Sequence, residues 1–525
     1  MTTPVPASPS SVKHRWRRVL RLPAILAIVV FGASVAERWR GHHALRSWME
    51  QRTEQGESLN PTVLWPKPDE RARKFQSDLS EATRQLPAEL VTYSGRTSGM
   101  VPDQPGRARR GSQEPRPLDH PTNTWAQLEA AVRNSAGPLQ RLRQLLRDLP
   151  SSMAGDIVHR LETDDLPSFG GARVSAQTLH DVAICELHQG NRENALENLQ
   201  ALLSLVHLYT DEPTLVNYMI RVAILGLSVD ACWDALQAPG WTEEQLAQLQ
   251  QAAQIPPLLT QMPQVVQAER AARLVSWESF RSHSYNAWLL RYEEVYKGFG
   301  LKSPEWQTTP VLLQWRHCGF HPVWRFAWAD QEELHYLEHS QNEFAAVAEA
   351  AKLRSWRFLE ERLNTIQRDY RPPAASWRFH GRLPFLDDVS MLVGSSRPKE
   401  PAYSYPNYKR AWQVTFENLT LHQLVVTAIA LKRHELRHSK LPVTLNALVP
   451  DFLPAAPRDF MDGQSLRYRL NPNTTFQLYS VGADAQDDGG DPVPDPAQRG
   501  NRTEQWPGRD WVWPQLAPAT PPPKA

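Results

Sequence analysis

A chain of 525 residues, 41% of them hydrophobic and 22% charged, is long enough to bury a large core and to divide into about two to four domains. The formal net charge of +1 provides no overall field that would attract a nucleic acid or an acidic partner. Cys185, Cys232 and Cys318 are far apart and odd in number, so they form no metal-binding pair and no disulfide framework. We expect them to be buried apolar residues.

The N-terminal segment has an uneven distribution of charge around an apolar run. Leu22 to Ala36 is fifteen residues without a charge. Basic residues without an acidic one precede this run: Lys13, Arg15, Arg17, Arg18 and Arg21. By the positive-inside rule, the N-terminus stays in the cytoplasm and the rest of the chain is exported. The segment therefore predicts a single-pass protein of the bacterial inner membrane, with the bulk of the chain in the periplasm.

The length of the apolar run leaves two interpretations open. Counted from Val19, the run has eighteen residues, which is just enough to span a bilayer as an anchor. Ser34, Val35 and Ala36 also offer small residues at the positions that a signal peptidase reads. We favour the anchor, and export follows from either interpretation.

Composition and periodicity predict a mainly α protein, an irregular helical bundle or solenoid with a small C-terminal α+β unit and one N-terminal transmembrane helix. Residues 94–123 are rich in Gly, Pro, Ser and Arg and predict a disordered linker. The predicted ranges are a basic cytoplasmic tail (1–21), the anchor or signal (22–36), a short helical segment (37–93), the linker (94–123), a helical domain (124–371), an irregular connection (372–407), the α+β unit (408–513) and a Pro-rich tail (514–525).

The helical domain contains two local patterns of note. Gly190, Ala195 and Leu199 have the spacing of one tetratricopeptide-like helical hairpin, in which small residues let two helices approach, although no repeat at a fixed period follows. Thr242 and Gln245 predict a capping box at the start of a further helix.

Tryptophan is dense between Trp277 and Trp377. The residues between these two are Trp288, Trp306, Trp315, Trp324, Trp328 and Trp356. Exposed aromatic residues bind sugars and peptides, whereas aromatic residues at helical spacing are more typical of core packing. A sugar- or peptide-binding module that uses this region is therefore one alternative function, and packing is the simpler interpretation.

His434, Glu435 and His438 have the spacing of zinc peptidases. In that motif two imidazoles bind zinc while the carboxylate takes a proton from the metal-bound water. Four cations crowd the motif and disfavour a dication: Lys432, Arg433, Arg437 and Lys440. No glutamate follows within sixty residues, so only aspartates such as Asp451 and Asp459 could be the third ligand. A zinc-dependent hydrolase is the second alternative, and we predict that the motif is not catalytic.

His335, Glu338 and His339 have the reversed spacing of the inverted zinc peptidases. The apolar stripe of this helix is formed by Leu334, Leu337, Phe344, Ala348, Ala351 and Phe358. Both histidines fall beside the stripe, where we expect solvent, whereas a catalytic metal needs a partly dry cleft.

The C-terminal unit begins with an apolar helix whose last turns carry cations, which suits the helix dipole. Pro442 stops this helix, and Leu445, Leu448 and Phe452 are expected to dock back onto it. The segments "SLRYRL" and "TTFQLYSV" alternate as two strands around an "NPN" turn and predict a β-hairpin.

Four motifs follow this helix in the order "LP-x-x-L-x-x-L-x-P", "P-x-D", "DG-x-x-L-x-Y" and "LYSVGAD". The helix and these motifs together resemble the C-terminal globular part of type II secretion major pseudopilins. They also resemble the tail of many exported bacterial proteins that contain this part. The resemblance covers about residues 408–492 and implies a pilin-like α+β unit. Pseudopilins polymerise through a processed N-terminal helix, but no Gly-[Phe/Tyr]-x-x-x-Glu motif precedes Leu22, so we predict that this chain does not form filaments.

The last loop of pseudopilins holds a structural calcium, and the resemblance implies the same cofactor here. The candidate ligands that it implies are Asp484, Asp487, Asp488 and Asp491. Closely spaced carboxylates suit the preference of calcium for oxygen, and a bare acidic turn is the alternative.

Together these features predict a membrane-anchored, exported, non-catalytic scaffold or protein-interaction protein, which binds other envelope proteins and no nucleic acid. No residue is predicted to be catalytic.

Overall fold

The structure is a computed structural model. It describes residues 10–65, 70–86, 90, 125–150, 170–282, 325–369, 408–472, 475–491 and 509–513. The predicted linker (94–123), irregular connection (372–407) and Pro-rich tail (514–525) lie outside the described residues. The fold is mainly helical, as predicted.

Thirteen α-helices are named here, all within the described residues. They are α1 (Ser10–Glu54), α2 (Pro61–Leu64), α3 (Glu70–Arg84), α4 (Trp125–Asn134), α5 (Ala136–Leu145), α6 (Gly170–His188), α7 (Arg192–Ser204), α8 (Leu215–Gln237), α9 (Glu243–Ala252), α10 (Leu258–Ser282), α11 (Ala329–Leu353), α12 (Trp356–Asp369) and α13 (Lys409–His438). Two 3-10 turns, Leu205–His207 and Leu445–Leu448, follow α7 and α13. The strands are β1 (Arg467–Leu470), β2 (Phe476–Ser480) and β3 (Trp511–Trp513).

The chain divides into two compact units. Unit 1 comprises Met1–Leu59, Arg270–Asn342 and Asp369–Pro406. Unit 2 comprises Asn60–Glu269, Glu343–Arg368 and Asn407–Ala525.

Unit 1 contains a small hydrophobic cluster and a buried ion pair. Leu45 and Trp48 from the second half of α1 are buried together with Leu337 of α11. The guanidinium of Arg270, on α10, is completely buried and binds the carboxylate of Glu57 at 2.6 Å. It also lies 5.8 Å from the Trp48 ring, a cation–π contact that helps offset the cost of burying the charge.

Helix α8 is the centre of unit 2 and packs against α6, α7 and α13. Its residue Tyr218 meets Trp412 of α13 edge-to-face, with ring centroids 6.0 Å apart, a favourable geometry for aromatic rings. Cys185 and Cys232 are buried, which confirms the expectation for these two cysteines, while Cys318 lies outside the described residues.

Helices α6 and α7 pack against each other across a short turn at Gly190. Gly190 adopts a φ of +80°, a left-handed conformation that glycine reaches without steric cost and that ends α6. Ala195 and Leu199 are fully buried. The likeness to a tetratricopeptide hairpin stays a prediction. Helix α9 begins with the predicted capping box, since Thr242 accepts from the Gln245 amide and the Gln245 side chain accepts from the Thr242 amide.

The end of α13 follows the prediction from sequence. Ser439, in the left-handed conformation, closes the helix ahead of Pro442. Leu445, Leu448 and Phe452 are all buried, which confirms that this segment docks back onto the fold.

The three strands form one antiparallel sheet in the order β1–β2–β3. Tyr468 pairs with Leu478 in the predicted hairpin, which the structure confirms, and Tyr479 pairs with Val512 of β3. The sheet adjoins the helical scaffold, because Trp513 of β3 contacts Trp233 of α8 with ring centroids 5.8 Å apart.

The start of α12 is joined to the segment that precedes the sheet. The amides of Trp356 and Arg357 donate to the carbonyls of Phe460 and Met461 at 2.8 and 2.9 Å. The first amides of a helix have no partner within it, so these two bonds satisfy groups that would otherwise be buried without one.

Two of the described helices are long and apolar enough to cross a membrane, namely α8 and α13. In both, most of the apolar window is buried inside the protein, 61% in α8 and 78% in α13. Length and composition make them compatible with a membrane, but their burial is typical of core helices.

Two glycines of the loop after β2 provide a test of how closely this loop packs against Arg509. Gly482 and Gly489 have φ values of +68° and +75°, so alanine at either position adopts a strained backbone. A Cβ at position 482 would overlap the carbonyl of Arg509, whereas a Cβ at 489 meets no atom within 4 Å. We expect Gly489→Ala to lower the free energy of unfolding by about 1 kcal/mol and Gly482→Ala by more than about 3 kcal/mol, measured by urea denaturation. Equal losses in the two variants would contradict the close approach of residues 482 and 509.

Candidate functional site

The end of α13 is held against α9 by a compact group of charges. Arg433 and Arg437 both donate to one oxygen of Glu243, at 2.8 and 2.7 Å. The hydrogen bond from Arg433 holds the pKa of Glu243 below its usual value. Both guanidiniums also lie over the ring of Phe452, at 5.5 and 4.9 Å from its centroid. Two of the cations that crowd the zinc-peptidase motif therefore bind α9 and Phe452.

Within this group His434 and His438 lie side by side, as their spacing of four residues requires. Their ring centroids are 4.5 Å apart, and the ring of Phe452 is 5.5 Å from His434. Nδ1 of His434 is 2.9 Å from the carbonyl of Lys440. Because a carbonyl only accepts, Nδ1 carries the proton and donates it, which ties the helix end to the following turn.

In the part of the chain that the structure describes, no third zinc ligand lies beside His434 and His438. Glu435 is exposed at the surface of α13. Asp451 is exposed as well, and Asp459 is fully buried elsewhere, bound by other donors. Among the described residues no three His, Cys, Asp or Glu side chains come together as a metal ion requires. The observed contacts of His434 are those of a packing and capping residue.

The second motif lies on α11, in unit 1. Glu338 is exposed, and His335 and His339 are half-buried, so the expectation that these histidines face solvent was wrong. Burial lowers the pKa of His335, and burial together with His335 lowers the pKa of His339 to about 4. The partial burial of these histidines is a tertiary effect that the spacing of one helix does not reveal.

The tryptophan-rich region is only partly described. Trp277 and Trp356 are buried, and Trp328 is half-buried. The indole of Trp277 stacks on Tyr336 with ring centroids 6.5 Å apart. These three residues are engaged in packing. The others of the region, Trp288, Trp306, Trp315, Trp324 and Trp377, lie outside the described residues.

The C-terminal unit is organised around a fully buried carboxylate, Asp459. One oxygen accepts from the Met461 amide at 3.0 Å and from the Ser480 hydroxyl at 2.9 Å. The other accepts from the Val481 amide at 2.9 Å and from Arg467 at 3.0 Å. Burial raises the pKa of Asp459 to about 6, while the donors act in the opposite direction. This cluster joins the turn before β1 to both strands of the hairpin.

Arg467 connects the Asp459 cluster to the acidic turn. Besides Asp459, it binds Asp462 at 2.5 Å and Asp487 at 3.3 Å. Partial burial alone would raise the pKa of Asp487, but the Gly489 amide, the Tyr479 hydroxyl and Arg467 outweigh it and lower that pKa. Asp487, one of the four predicted calcium ligands, is thus already bonded to Arg467 and Tyr479.

The other predicted ligands are spread along the turn. Asp484 accepts from the Gln486 amide at 3.0 Å, and Asp488 lies 4.0 Å from Arg509. The Asp491 amide donates to Asp510, which also accepts from the Gly490 amide at 2.7 Å. The carboxylate chemistry suits calcium, but no three of the described side chains converge. Calcium at this turn stays a prediction.

Asp510 is a residue that the sequence analysis missed. It is fully buried, and its Oδ1 has no hydrogen-bond partner, so this oxygen is an orphaned acceptor beside the acidic turn. Its neighbours in sequence, "RDWVW", carry no signal of its burial, since aspartate is usually exposed.

Searches of protein-family models, curated proteins and solved structures returned no match to this chain. The resemblance of residues 408–492 to pseudopilins therefore stays a prediction from the quoted motifs.

The two histidines of the α13 motif give a matched pair for a test. We expect His434→Ala to lower the free energy of unfolding by about 1–3 kcal/mol, because it leaves the Lys440 carbonyl unpaired and removes the contact with Phe452. His438 is exposed, so His438→Ala should change it by less than about 0.5 kcal/mol. Urea denaturation and zinc analysis of the full chain measure both effects. Stoichiometric zinc that either variant loses would contradict the packing role.

Proposed function

We propose that this protein is a membrane-anchored, exported and non-catalytic scaffold that binds other envelope proteins. The observation that carries the anchor is the exposure of large apolar side chains on α1. Between 41% and 70% of each side chain in the following set is exposed: Ile25, Ile28, Val29, Val30, Phe31 and Val35. Water strongly disfavours such a continuous apolar surface, whereas lipid accommodates it.

The comparison with α8 and α13 supports the assignment of α1 as the anchor. Those two helices are long and apolar enough to cross a membrane, but most of the residues in their apolar windows are buried by protein. The six exposed apolar residues of α1 between Ile25 and Val35 lack such cover. The basic residues before Leu22 support an orientation with the N-terminus in the cytoplasm and the bulk of the chain in the periplasm.

A non-catalytic scaffold is proposed because the side chains that could have been catalytic are bonded to other parts of the fold. His434 binds a carbonyl, Arg433 and Arg437 bind Glu243, and Asp459 joins two strands. Each of these groups holds one element of unit 2 to another. The pilin-like unit is proposed as part of this scaffold, which acts by binding rather than by catalysis.

Extraction of the full chain from membranes at alkaline pH tests the anchor. We expect the protein to remain in the membrane pellet, and a C-terminal alkaline phosphatase fusion to be active because it lies in the periplasm. The double variant Ile28→Asp, Val29→Asp should appear in the soluble fraction, since each charge at the centre of a span costs about 3 kcal/mol.

Leu436→Asp is the matched control, because Leu436 is an exposed apolar residue of unit 2 and its change should leave the protein in the pellet. A wild-type protein that is found in the soluble fraction and begins at Glu37 by mass spectrometry would refute the anchor and establish a cleaved signal.

We also propose calcium binding at the acidic turn, on the resemblance to pseudopilins. The orphaned Oδ1 of the buried Asp510, whose other oxygen accepts from the Gly490 and Asp491 amides of this turn, supports it. We expect stoichiometric calcium in the full chain after dialysis against a weak chelator, and its loss in Asp484→Ala. Asp451→Ala, at an exposed site outside the turn, is the control that should retain calcium. A calcium-free wild-type protein would contradict this proposal.

A further inference from the structure

Helix α1 runs without interruption from the apolar run into the folded part of unit 1. It is one helix from Ser10 to Glu54, so no flexible joint follows Ala36. Gly41 lies directly against α11, where a Cβ would come within 2.7 Å of Cγ of Gln331. The direction of α1 in the membrane therefore also determines where the start of α11 lies relative to the bilayer.

The segment before α11 reaches back along α1 into the apolar run. The ring of Phe326 stacks on Phe31 with centroids 6.3 Å apart and an interplanar angle of 16°. The guanidinium of Arg38 also lies over the ring of Phe326, 4.9 Å from its centroid. Ser34, inside the apolar run, is only 7% exposed, which shows independently that protein covers this face of α1.

The depth of this contact follows from helix geometry. Phe31 precedes Ala36 by five residues, which at about 1.5 Å per residue is about 7 Å along the helix axis. The apolar run from Val19 to Ala36 is about as long as the hydrocarbon core is thick, so Ala36 lies near its outer edge. Phe326, beside Phe31, then lies at the level of the outermost part of the acyl chains.

The surface around Phe326 has the composition of a membrane interface. Phe326 is 37% exposed although it stacks on Phe31, and Trp39 of α1 is 71% exposed. Arg325 is also exposed, next to Phe326 in the chain. Aromatic residues together with arginines are enriched where a protein crosses from acyl chains to phosphates, because the rings are partly apolar and the guanidiniums bind phosphate.

We infer that residues 325–328 form a second membrane contact, in which Phe326 inserts into the periplasmic leaflet beside α1. This inference rests on the proposed anchor. The partner is the phospholipid of that leaflet, with acyl chains around Phe326 and headgroups around Arg325 and Trp39. Unit 1 is thereby held at the membrane surface at two points, so that it cannot turn freely together with α1 about the helix axis.

Site-specific fluorescence of the full chain in phospholipid nanodiscs tests this contact. Single cysteines at Phe326→Cys, Arg325→Cys, Val29→Cys and Glu338→Cys carry a nitrobenzoxadiazole dye, with Cys318→Ser in every variant. Burial raises the thiol pKa of Cys185 and Cys232 to about 12, so these two cysteines stay unlabelled at neutral pH. Quenching by nitroxide lipids is compared with quenching by iodide in water.

The expected result is several-fold stronger lipid quenching at positions 326 and 29 than at 338, which is exposed on α11. Position 325 should show intermediate quenching, and it repeats the test without removing the Phe326 ring. Iodide quenching at 326 and 325 equal to that at 338, with lipid quenching at 29, would overturn this inference while the anchor stands. Weak quenching of position 326 by both agents would overturn it too, because protein would then cover the site. Iodide quenching at 29 would refute the anchor itself.

Discussion

The burial of α13 is the constraint on which unit 2 depends. Most of the polar side chains that this thirty-residue helix buries find hydrogen-bond partners inside the fold. Thr415 and Thr427 do so by returning their hydroxyls to the carbonyls of Ala411 and Gln423, at 2.9 and 2.7 Å. His422 instead pairs with the carbonyl of Ala253 on the segment after α9, at 2.9 Å. Burial also lowers the pKa of His422 to about 4, so this histidine is neutral in the folded protein.

The same helix explains why the C-terminal sheet adjoins the helical scaffold. The N-terminal half of α13 contributes Trp412 and Phe416, which contact Tyr218 of α8 and Trp356 of α12. The amides that begin α12 are bound by the Phe460–Met461 segment, and the next residue toward the N-terminus is Asp459. Loss of any one of the four donors to this buried carboxylate would be costly, because a polar group away from water depends on its hydrogen bonds. The helical core and the β1–β2 hairpin are thus connected by hydrogen bonds, first from the α12 amides to the Phe460–Met461 segment and then between the adjacent Asp459 and the strands.

Local patterns predicted much of this fold because the determinants are local. The Thr242 capping box and the β1–β2 hairpin each depend on residues within a few positions of one another. The strand β3 was not predicted as a strand, since three residues beyond an intervening segment carry no periodicity of their own. The pairing of Arg433 with Glu243 spans about 190 residues, and no spacing rule reveals it. The half-burial of His335 and His339 was missed for the same reason.

The zinc-peptidase pattern at 434–438 shows how a structural role reproduces a catalytic spacing. A helix that ends at a proline benefits from cations in its last turns, and residues four apart face the same side. Histidine at position 434 meets a further need, because its Nδ1 reaches the carbonyl of Lys440 in the turn. Metal-binding histidines use the same bond to orient the ring, so this contact alone does not separate the two roles. The surroundings separate the two roles. Arg433 and Arg437 place positive charge beside the rings, where a dication would be repelled, and the ring of Phe452 packs against both histidines.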